Sequence, residues 1–206
     1  MTMPANRRVR DLRLSVAYAI GDSVAVTSPS QVSGQPDVVL TVPIYHDWPL
    51  GDPDSIGDPT GTPVRAFIGT RWVVDGAGSR GSSVLQVDVY TRIGAQGDPD
   101  GDPFGYLNAD IADAVAEVFA GADAGGALRC YVPILNFDNP AVPAVPPDGD
   151  GGCLICQTPG GQFGVPSDRR SLGREGGFVR FVLRFTFRTV ADALRGAGLA
   201  NYRPTV

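Results

Sequence analysis

Phe178-Val-Arg-Phe-Val-Leu-Arg-Phe-Thr-Phe-Arg-Thr189 is a stretch near the C-terminal end of the chain. In it, apolar side chains and the side chains of three arginines alternate at period two with almost no error. Successive side chains of a β-strand leave on opposite faces, so the pattern predicts one long strand of roughly 40 Å, at about 3.3 Å per residue. One face of this strand is aromatic and aliphatic, and the other is a stripe of arginines. The first face holds Val179, Phe181, Leu183, Phe185 and Phe187, and the second holds Arg180, Arg184 and Arg188.

The apolar face of this strand needs a covering layer, and a helix upstream can supply it. We expect that helix to begin at Asn108, whose side chain can accept a hydrogen bond from the first turn, and to end near Ala120, just before Gly121. The predicted fold is therefore α+β, with a mainly antiparallel sheet and one principal helix packed on its apolar face. The apolar residues at helical spacing are Leu107, Ile111, Val115, Val118 and Phe119.

Four further segments have the composition of strands: 38–45, 64–75, 83–92 and 128–135. The second and third read as a hairpin whose tip is the glycine-rich segment 76–81. In 83–92, Leu85, Val87 and Val89 share one face, and Gln86 and Asp88 lie on the other. If this strand pairs with the last one, Gln86 and Asp88 become neighbours of Arg180 or Arg184.

Two segments are ambiguous in the sequence. Residues 6–20 alternate like a strand while some of their apolar residues also fit a helix, and we favour a strand or extended arm. Residues 136–173, about 38 positions rich in Pro, Gly and Asp, are too long for a plain connection and predict a functional or mobile loop. Residues 190–206 predict a short helical or irregular tail. We expect one domain over 1–206, with 136–173 as a loop insertion.

Charge and composition limit the classes of function. The net charge of -5 and the pI of about 4.7 argue against general affinity for nucleic acid, which needs a basic face. We find no apolar run long enough to span a membrane and no apolar core of signal-peptide type after the arginine-rich start, so we expect folding in a cytoplasm. The chain has 3 cysteines, an odd number, so reduced thiols are expected.

His46 and the cysteines are the candidates for chemistry. His46, with Asp47 beside it, could act as a general base, but no nucleophile motif accompanies it, and we favour a structural or interface role. Cys153 and Cys156 have the spacing of half a zinc site or of a redox pair, to which Cys130 or His46 could add ligands. We favour reduced thiols that help to pin the long loop, because the second Cys pair of a zinc site is missing and glycines and prolines surround this one.

The acidic turns are the candidates for calcium binding. They occur at 51–54, 57–59, 97–103 and 148–150, and calcium takes many oxygen ligands from flexible loops. None has the spacing of an EF-hand loop, so we favour solvated turns. With no lysine for a phosphate loop and no cluster of metal-binding histidines, the sequence predicts a protein that is not an enzyme and has no cofactor.

Three segments together resemble the tail terminator, or tail-completion, proteins of long-tailed phages and phage-derived gene transfer agents. In that family a strand with a Val-x-Val core leads to a helix, and a closing strand begins with an aromatic residue after a glycine turn. Val42-Pro-Ile-Tyr-His-Asp-Trp-Pro49 is also similar to the family's proline-and-tryptophan stretch. The chain departs from the family in the loop 136–173 and at its N-terminus, where the family usually opens with a helix. The three segments are Ser83-Val-Leu-Gln-Val-Asp-Val-Tyr90, Leu107-Asn-Ala-Asp-Ile-Ala-Asp-Ala-Val-Ala-Glu-Val-Phe119 and Gly173-Arg-Glu-Gly-Gly-Phe-Val-Arg-Phe-Val-Leu-Arg-Phe-Thr-Phe187.

The resemblance implies a structural virion protein of the tail or neck, assembled in the cytoplasm of a bacterial host. In the family a homo-oligomeric ring, typically of six copies, caps the head-proximal end of the tail tube, stops its growth and joins the tail to the head-tail connector or stopper protein. DNA would pass through the lumen without sequence-specific binding, and no cofactor or membrane is implied. From glycine content, flexibility and the arginine stripe we take as candidate contacts Gly76, Gly78, Arg80, Gly97, Asp100, Asp102, Cys153, Cys156, Arg180, Arg184 and Arg188.

Three other functions stay open at this point. Another neck, connector or tail-tube component would share the same α+β pattern and differ only in its place in the particle. An extracellular calcium-dependent binding module would explain the acidic turns. A hydrolase that uses His46 is the weakest alternative.

Overall fold

The computed structural model describes residues 5–30, 33–47, 64–74, 82–95, 98, 101–135, 137, 153–175 and 177–190. Within them the fold is α+β, a curled mixed sheet with two α-helices, where we expected one principal helix. The elements are α1 (Ala5–Ile20), β1 (Ser23–Ser28), β2 (Val38–Tyr45), β3 (Ala66–Val74), β4 (Ser82–Arg92), α2 (Tyr106–Ala116), a short 3₁₀ helix (Glu117–Phe119), β5 (Tyr131–Pro133), β6 (Cys153–Cys156), β7 (Asp168–Glu175) and β8 (Phe178–Val190).

The long final strand is confirmed as β8, and it is the centre of the sheet. Strand β4 pairs antiparallel with it along one edge, from Arg92 opposite Phe178 to Ser82 opposite Arg188. Strands β6 and β7 share its other edge, one at each end. The strand order is β1-β2-β3-β4-β8-β6-β5, with β7 beside β8. Among these pairs β2 with β3 is parallel and the others are antiparallel.

The predicted hairpin of 64–75 and 83–92 is confirmed, because β3 and β4 pair antiparallel from Ala66 opposite Thr91 onwards. Its predicted tip, 76–81, lies outside the described residues. Sequence alone could not set the register of β4 against β8; the structure places Gln86 opposite Arg184 and Tyr90 opposite Arg180.

The main core lies between α2, α1 and the apolar face of the sheet. Phe119 sits at its centre and makes edge-to-face contacts with Phe185 and Phe187, whose ring centroids are 5.1 and 5.2 Å from its own. All three rings are buried, and burying an aromatic side chain of this size contributes about 1.5–3 kcal/mol. The predicted helix stripe is therefore largely at the interface; its buried members are Leu107, Ile111, Val115 and Phe119.

The prediction of a strand or extended arm at 6–20 is wrong, because this segment lies in the helix α1. Val16 and Ile20, one helical turn apart, are buried in the main core. The Ser15 hydroxyl donates to the Asp11 carbonyl at 2.6 Å and accepts the Leu135 N–H at 2.9 Å, which ties the helix to the chain after β5. Burial of the i, i+4 stripe therefore overrides the alternation on which we based the strand.

The prediction that residues 136–173 form one long loop also needs correction. Residues 136–173 contain the strand β6 and most of β7, and both pair with β8. Strand β7 has no apolar alternation, so its ladder depends on backbone hydrogen bonds to β8 more than on its side chains. The predicted strand 128–135 is shorter than expected, since β5 covers Tyr131–Pro133. Among the described helices, none is both long and apolar enough to cross a membrane.

Candidate functional site

The sheet face turned away from α2, here called the arginine face, contains a buried carboxylate. Asp88 is 3% exposed, and its Oδ1 accepts from Nε and Nη2 of Arg180 at 3.2 and 3.0 Å. Nε of Arg71 lies 3.7 Å from its other oxygen. The expected contact between Asp88 and Arg180 is therefore present. Two guanidinium groups therefore face one carboxylate, and their charge exceeds its single negative charge by one.

Gln86 extends this network to Arg184. Its side-chain nitrogen donates to both oxygens of Asp88 at 3.0 and 3.1 Å, and its oxygen accepts from Nε of Arg184 at 3.1 Å. Arg184 also lies 3.7 Å from the carboxylate of Asp168 on β7. Arg180 and Arg184 are thus tied into the subunit, whereas Arg188 is exposed at the end of the stripe. Such a face is poorly suited to phosphate binding, which needs cations that are free to meet the backbone.

Asp102, which we took as a contact residue, lies inside the subunit. It is 1% exposed and accepts the Leu107 N–H at 3.2 Å, the Asn108 N–H at 2.8 Å and the Thr91 hydroxyl at 2.8 Å. The carboxylate thus takes the orphan N–H groups of the first turn of α2, for which the N-cap, Gly105 with φ 76°, has no side chain.

Asn108 has a different role from the predicted one. It is a buried residue within the first turn of α2, not the cap. Its side-chain nitrogen donates to the carbonyls of Val89 and Val179, each at 3.2 Å. One amide therefore joins α2 to both central strands, and the prediction that Asn108 caps the helix is wrong.

An exposed aromatic pair stands next to this helix start. Phe104 and Tyr106 are 54% and 62% exposed, and their rings stack with centroids 5.8 Å apart. Neither residue belongs to the apolar stripe of the helix, so the helical pattern of the sequence does not point to them. The available signal was two aromatic residues on either side of Gly105, a few positions after the contact candidates Gly97, Asp100 and Asp102. Exposed aromatic surface of this kind is typical of protein contacts.

Cys153 and Cys156 lie in the sheet and not in a loop. Cys153 and Cys156 are the ends of β6, and the Cys156 N–H donates to the Cys130 carbonyl at 2.8 Å. No disulfide joins the three cysteines, all of which are described. Burial, and to a smaller extent the neighbouring Cys130, raises the pKa of Cys156 to about 12. A thiol of this kind is a poor nucleophile, and the described residues hold no cluster of three His, Cys, Asp or Glu side chains suited to a metal.

His46 makes structural contacts with both ring nitrogens. Nε2 lies 3.0 Å from the Gly21 carbonyl, which can only accept, so this nitrogen bears the proton. Nδ1 lies 3.2 Å from the hydroxyl of Thr70, which is 2% exposed. The ring therefore joins the end of α1 to β3. A buried threonine hydroxyl is out of reach of a substrate, so the pair does not make a usable nucleophile and base.

Several predicted positions lie outside the described residues. They are the contact candidates Gly76, Gly78, Arg80, Gly97 and Asp100 and the acidic turns 51–54, 57–59 and 148–150. No model of a known protein family matches the chain, and no curated protein matches it either. The functional interpretation therefore depends on the sequence pattern and on the geometry above.

Proposed function

We propose that the chain is a structural virion protein that forms a ring, typically of six copies, at the head-proximal end of a phage or gene-transfer-agent tail tube. The ring terminates tube growth and joins the tail to the head-tail connector. The proposal derives from the resemblance of three segments to the tail terminator family. In this role the protein acts through interfaces between copies and with its neighbours, and it transforms no substrate.

The observation that carries the proposal is that the three resembling segments form one packed unit. Strands β4 and β8 pair over their common length, and α2 covers their apolar face. Asn108 of α2 bonds to both strands. The helix α1 also supports it, because the family usually opens with a helix.

The surface features fit a protein that works by contact. The stacked pair Phe104 and Tyr106 projects from the subunit beside the start of α2, and Arg188 ends the arginine face in solvent. The net charge of -5, and the bonds that hold Arg180 and Arg184 to their own subunit, would let DNA slide past without adhering, because like charges repel. Asp102, from the acidic turn 97–103, is committed to the helix start, which gives a calcium-binding module less support.

Microscopy and native mass measurement of the purified protein, with and without tail tubes, test the proposal. We expect ring-shaped particles, and one ring bound at a single end of each tube. A variant with Phe104→Ser and Tyr106→Ser should stay folded and lose rings, while Tyr18→Ser, a change at an exposed aromatic residue on α1, should keep them. A protein that stays monomeric at every concentration and binds no tube would refute the proposal. Binding along the tube or to the neck alone would favour a tube or connector component.

A further inference from the structure

On the arginine face, Asp88 has one close arginine and one distant one. Arg180 donates to its carboxylate at 3.0 and 3.2 Å, whereas Nε of Arg71 lies 3.7 Å away, beyond the length of an N–H···O hydrogen bond. Gln86 donates to both oxygens of the carboxylate, which therefore have hydrogen bonds without Arg71. Nε of Arg71 is buried and has no hydrogen-bond acceptor among the described residues. A buried charged group without an acceptor is costly, so a further anion beside Arg71 would stabilise this face.

Arg184 stands in the same relation to Asp168. The closer arginine to this carboxylate is Arg170, at 2.8 Å, and Nη1 of Arg184 is 3.7 Å from it. Nε of Arg184 donates to the side-chain oxygen of Gln86, which is neutral. In this group of described side chains four guanidinium groups thus meet two carboxylates. The positive charge is least compensated at the two arginines with the distant contacts, Arg71 and Arg184.

The register of the sheet places these two arginines on either side of Gln86. Arg71 of β3 is opposite Gln86 of β4, and Gln86 is opposite Arg184 of β8. Side chains of opposite residues in antiparallel strands point to the same face. Because neighbouring strands are about 4.8 Å apart, the two arginines leave the sheet about 10 Å from each other, and both are long enough to converge above the amide. Their side chains are 24% and 37% exposed, so this position can be reached from solvent.

We propose that Arg71 and Arg184 form a carboxylate-binding site, in which an aspartate of a second copy of the chain is held above Gln86. The planar fork of a guanidinium matches the two oxygens of a carboxylate, and a single aspartate side chain can enter a recess between two arginines. The phosphates of DNA lie along a continuous backbone, which binds to rows of exposed cations and not to two recessed ones.

A second copy fits this site by its charge. The chain has 22 acidic and 17 basic side chains, and many of its aspartates are concentrated in the acidic turns. The inference rests on the proposed function, because a ring of identical subunits needs two different, complementary surfaces. A positive recess and an acidic turn of the same chain are such a pair.

The first test measures carboxylate binding to dilute protein, with acetate as the probe. Arg71→Gln removes half of the site and should leave the fold intact, because the ion pair of Arg71 with Asp88 is long. Thermal unfolding is followed in sodium acetate and in sodium chloride of equal ionic strength. Acetate should raise the Tm of the wild type over its value in chloride by about 2–4 °C more than it raises that of Arg71→Gln.

The second test measures assembly by native mass spectrometry. Arg71→Gln and Arg184→Gln should each raise the concentration needed for assembly by about tenfold or more, because either change leaves the aspartate of the other copy with half of its partners. Asparagine then replaces the aspartates of one acidic turn at a time, at 51–54, 57–59, 97–100 and 148–150. At least one of these variants should assemble as poorly as Arg71→Gln, and its combination with Arg71→Gln should add little, because both remove the same contact.

A matched control and a milder variant keep the result interpretable. Arg92→Gln makes the same change at an exposed arginine on the same face of β4, six residues from Gln86 and so roughly 20 Å away. It should assemble like the wild type and keep the acetate effect. Arg71→Lys serves if Arg71→Gln fails to fold, which circular dichroism would reveal. It keeps a positive charge beside Asp88 but loses the planar fork, so it should fold and still weaken assembly several-fold.

Other outcomes would overturn the site or its occupant. An acetate effect of equal size in the wild type and Arg71→Gln would refute the site. Unchanged assembly of Arg71→Gln, or of every variant of the acidic turns, would refute the second copy as the source of the carboxylate. Duplex DNA that binds to the wild type and not to Arg71→Gln would show that the ligand is a phosphate.

The same variants separate this contact from the proposed function. Rings on tube ends that survive Arg71→Gln would contradict the contact and leave the proposed function standing. Assembly that depends on Arg71, in a protein that binds to no tail tube, would contradict the proposed function and leave the contact standing.

Discussion

Asp88 shows how a charged residue is accommodated inside the sheet of this protein. Its side chain is 4% exposed, and the side chain of Arg180, 3.0 Å away, is 14% exposed. A buried pair of this kind is costly to form, because both groups lose water, and costly to break, because the remaining charge has no partner. Gln86 adds two hydrogen bonds to the carboxylate. The network therefore fixes how β3, β4 and β8 face each other.

Replacing Asp88 with Asn should destabilise the fold strongly. The amide keeps the shape but leaves Arg180 and Arg71 without a counter-charge, and the free energy of unfolding should fall by about 3–5 kcal/mol. Urea denaturation followed by tryptophan fluorescence measures it. Asp168→Asn is the control, because Asp168 pairs with Arg170 and Arg184 near the surface, and it should cost less than about 1 kcal/mol. Equal losses for the two variants would show that burial is not what gives the Asp88 pair its strength.

The thiol of Cys156 should make stability fall at alkaline pH. Burial raises its pKa from 9.0 to about 12, so the folded state holds the proton to higher pH than the unfolded state does. The stability that this thiol contributes is full below about pH 9 and is lost as the pH rises towards about 12. Urea denaturation at a series of pH values should give a steeper fall for the wild type than for Cys156→Ala. Parallel curves would mean that the thiol titrates alike in both states.

At the scale of elements, α2 is held by groups from outside the helix. Asp102 precedes it and takes two of its first N–H groups, and Asn108 within it bonds to carbonyls of β4 and β8. The helix start is therefore fixed to the sheet by polar bonds, and its later turns are fixed by apolar packing. The same start places Phe104 and Tyr106 at the surface.

Asp102→Ala should loosen the start of α2. It leaves buried N–H groups of Leu107 and Asn108 without an acceptor, and the free energy of unfolding should fall by about 1–3 kcal/mol or more. Hydrogen exchange at these two amides should accelerate more than in the rest of the helix. Asp113→Ala, on the exposed side of the same helix and paired with Arg169, should change stability by less than about 1 kcal/mol. Unchanged exchange at Leu107 and Asn108 would contradict the capping role.

For the molecule as a whole, the distribution of charge predicts weak interaction with DNA. The net charge is -5, and Arg180 and Arg184 are paired with acidic or amide groups of their own subunit. Fluorescence anisotropy with duplex DNA at about 50 mM salt should show no binding tighter than about 10 µM, which is within the range of non-specific DNA-binding proteins. A tighter constant that weakens as salt is added would show that arginines of the chain do meet phosphates.

Much of the candidate site could be predicted where neighbouring strands constrain each other. Strict alternation puts Gln86 and Asp88 on one face of β4, and it puts Arg180 and Arg184 on one face of β8. Antiparallel pairing of the two strands then brings these four side chains together on the same face of the sheet. The aromatic pair Phe104 and Tyr106 was missed, because exposure depends on what the rest of the fold leaves uncovered. Asp102 was taken as a surface contact because, with the helix expected to begin at Asn108, nothing in the sequence showed that this carboxylate accepts the N–H groups of Leu107 and Asn108.

The sequence by itself determined the central strands and the existence of α2, because side-chain period is a local property of the chain. It only favoured the pairing of β4 with β8, through the polar residues on one face of each strand. Only the tertiary structure decided the rest. Segment 6–20 fits two periods, and burial of Val16 and Ile20 against the core selects the helix. Strands β6 and β7 have little pattern of their own, and the unpaired edge of β8 supplies the backbone partners that make them strands. Contacts between residues far apart in sequence supply free energy that no local pattern contains.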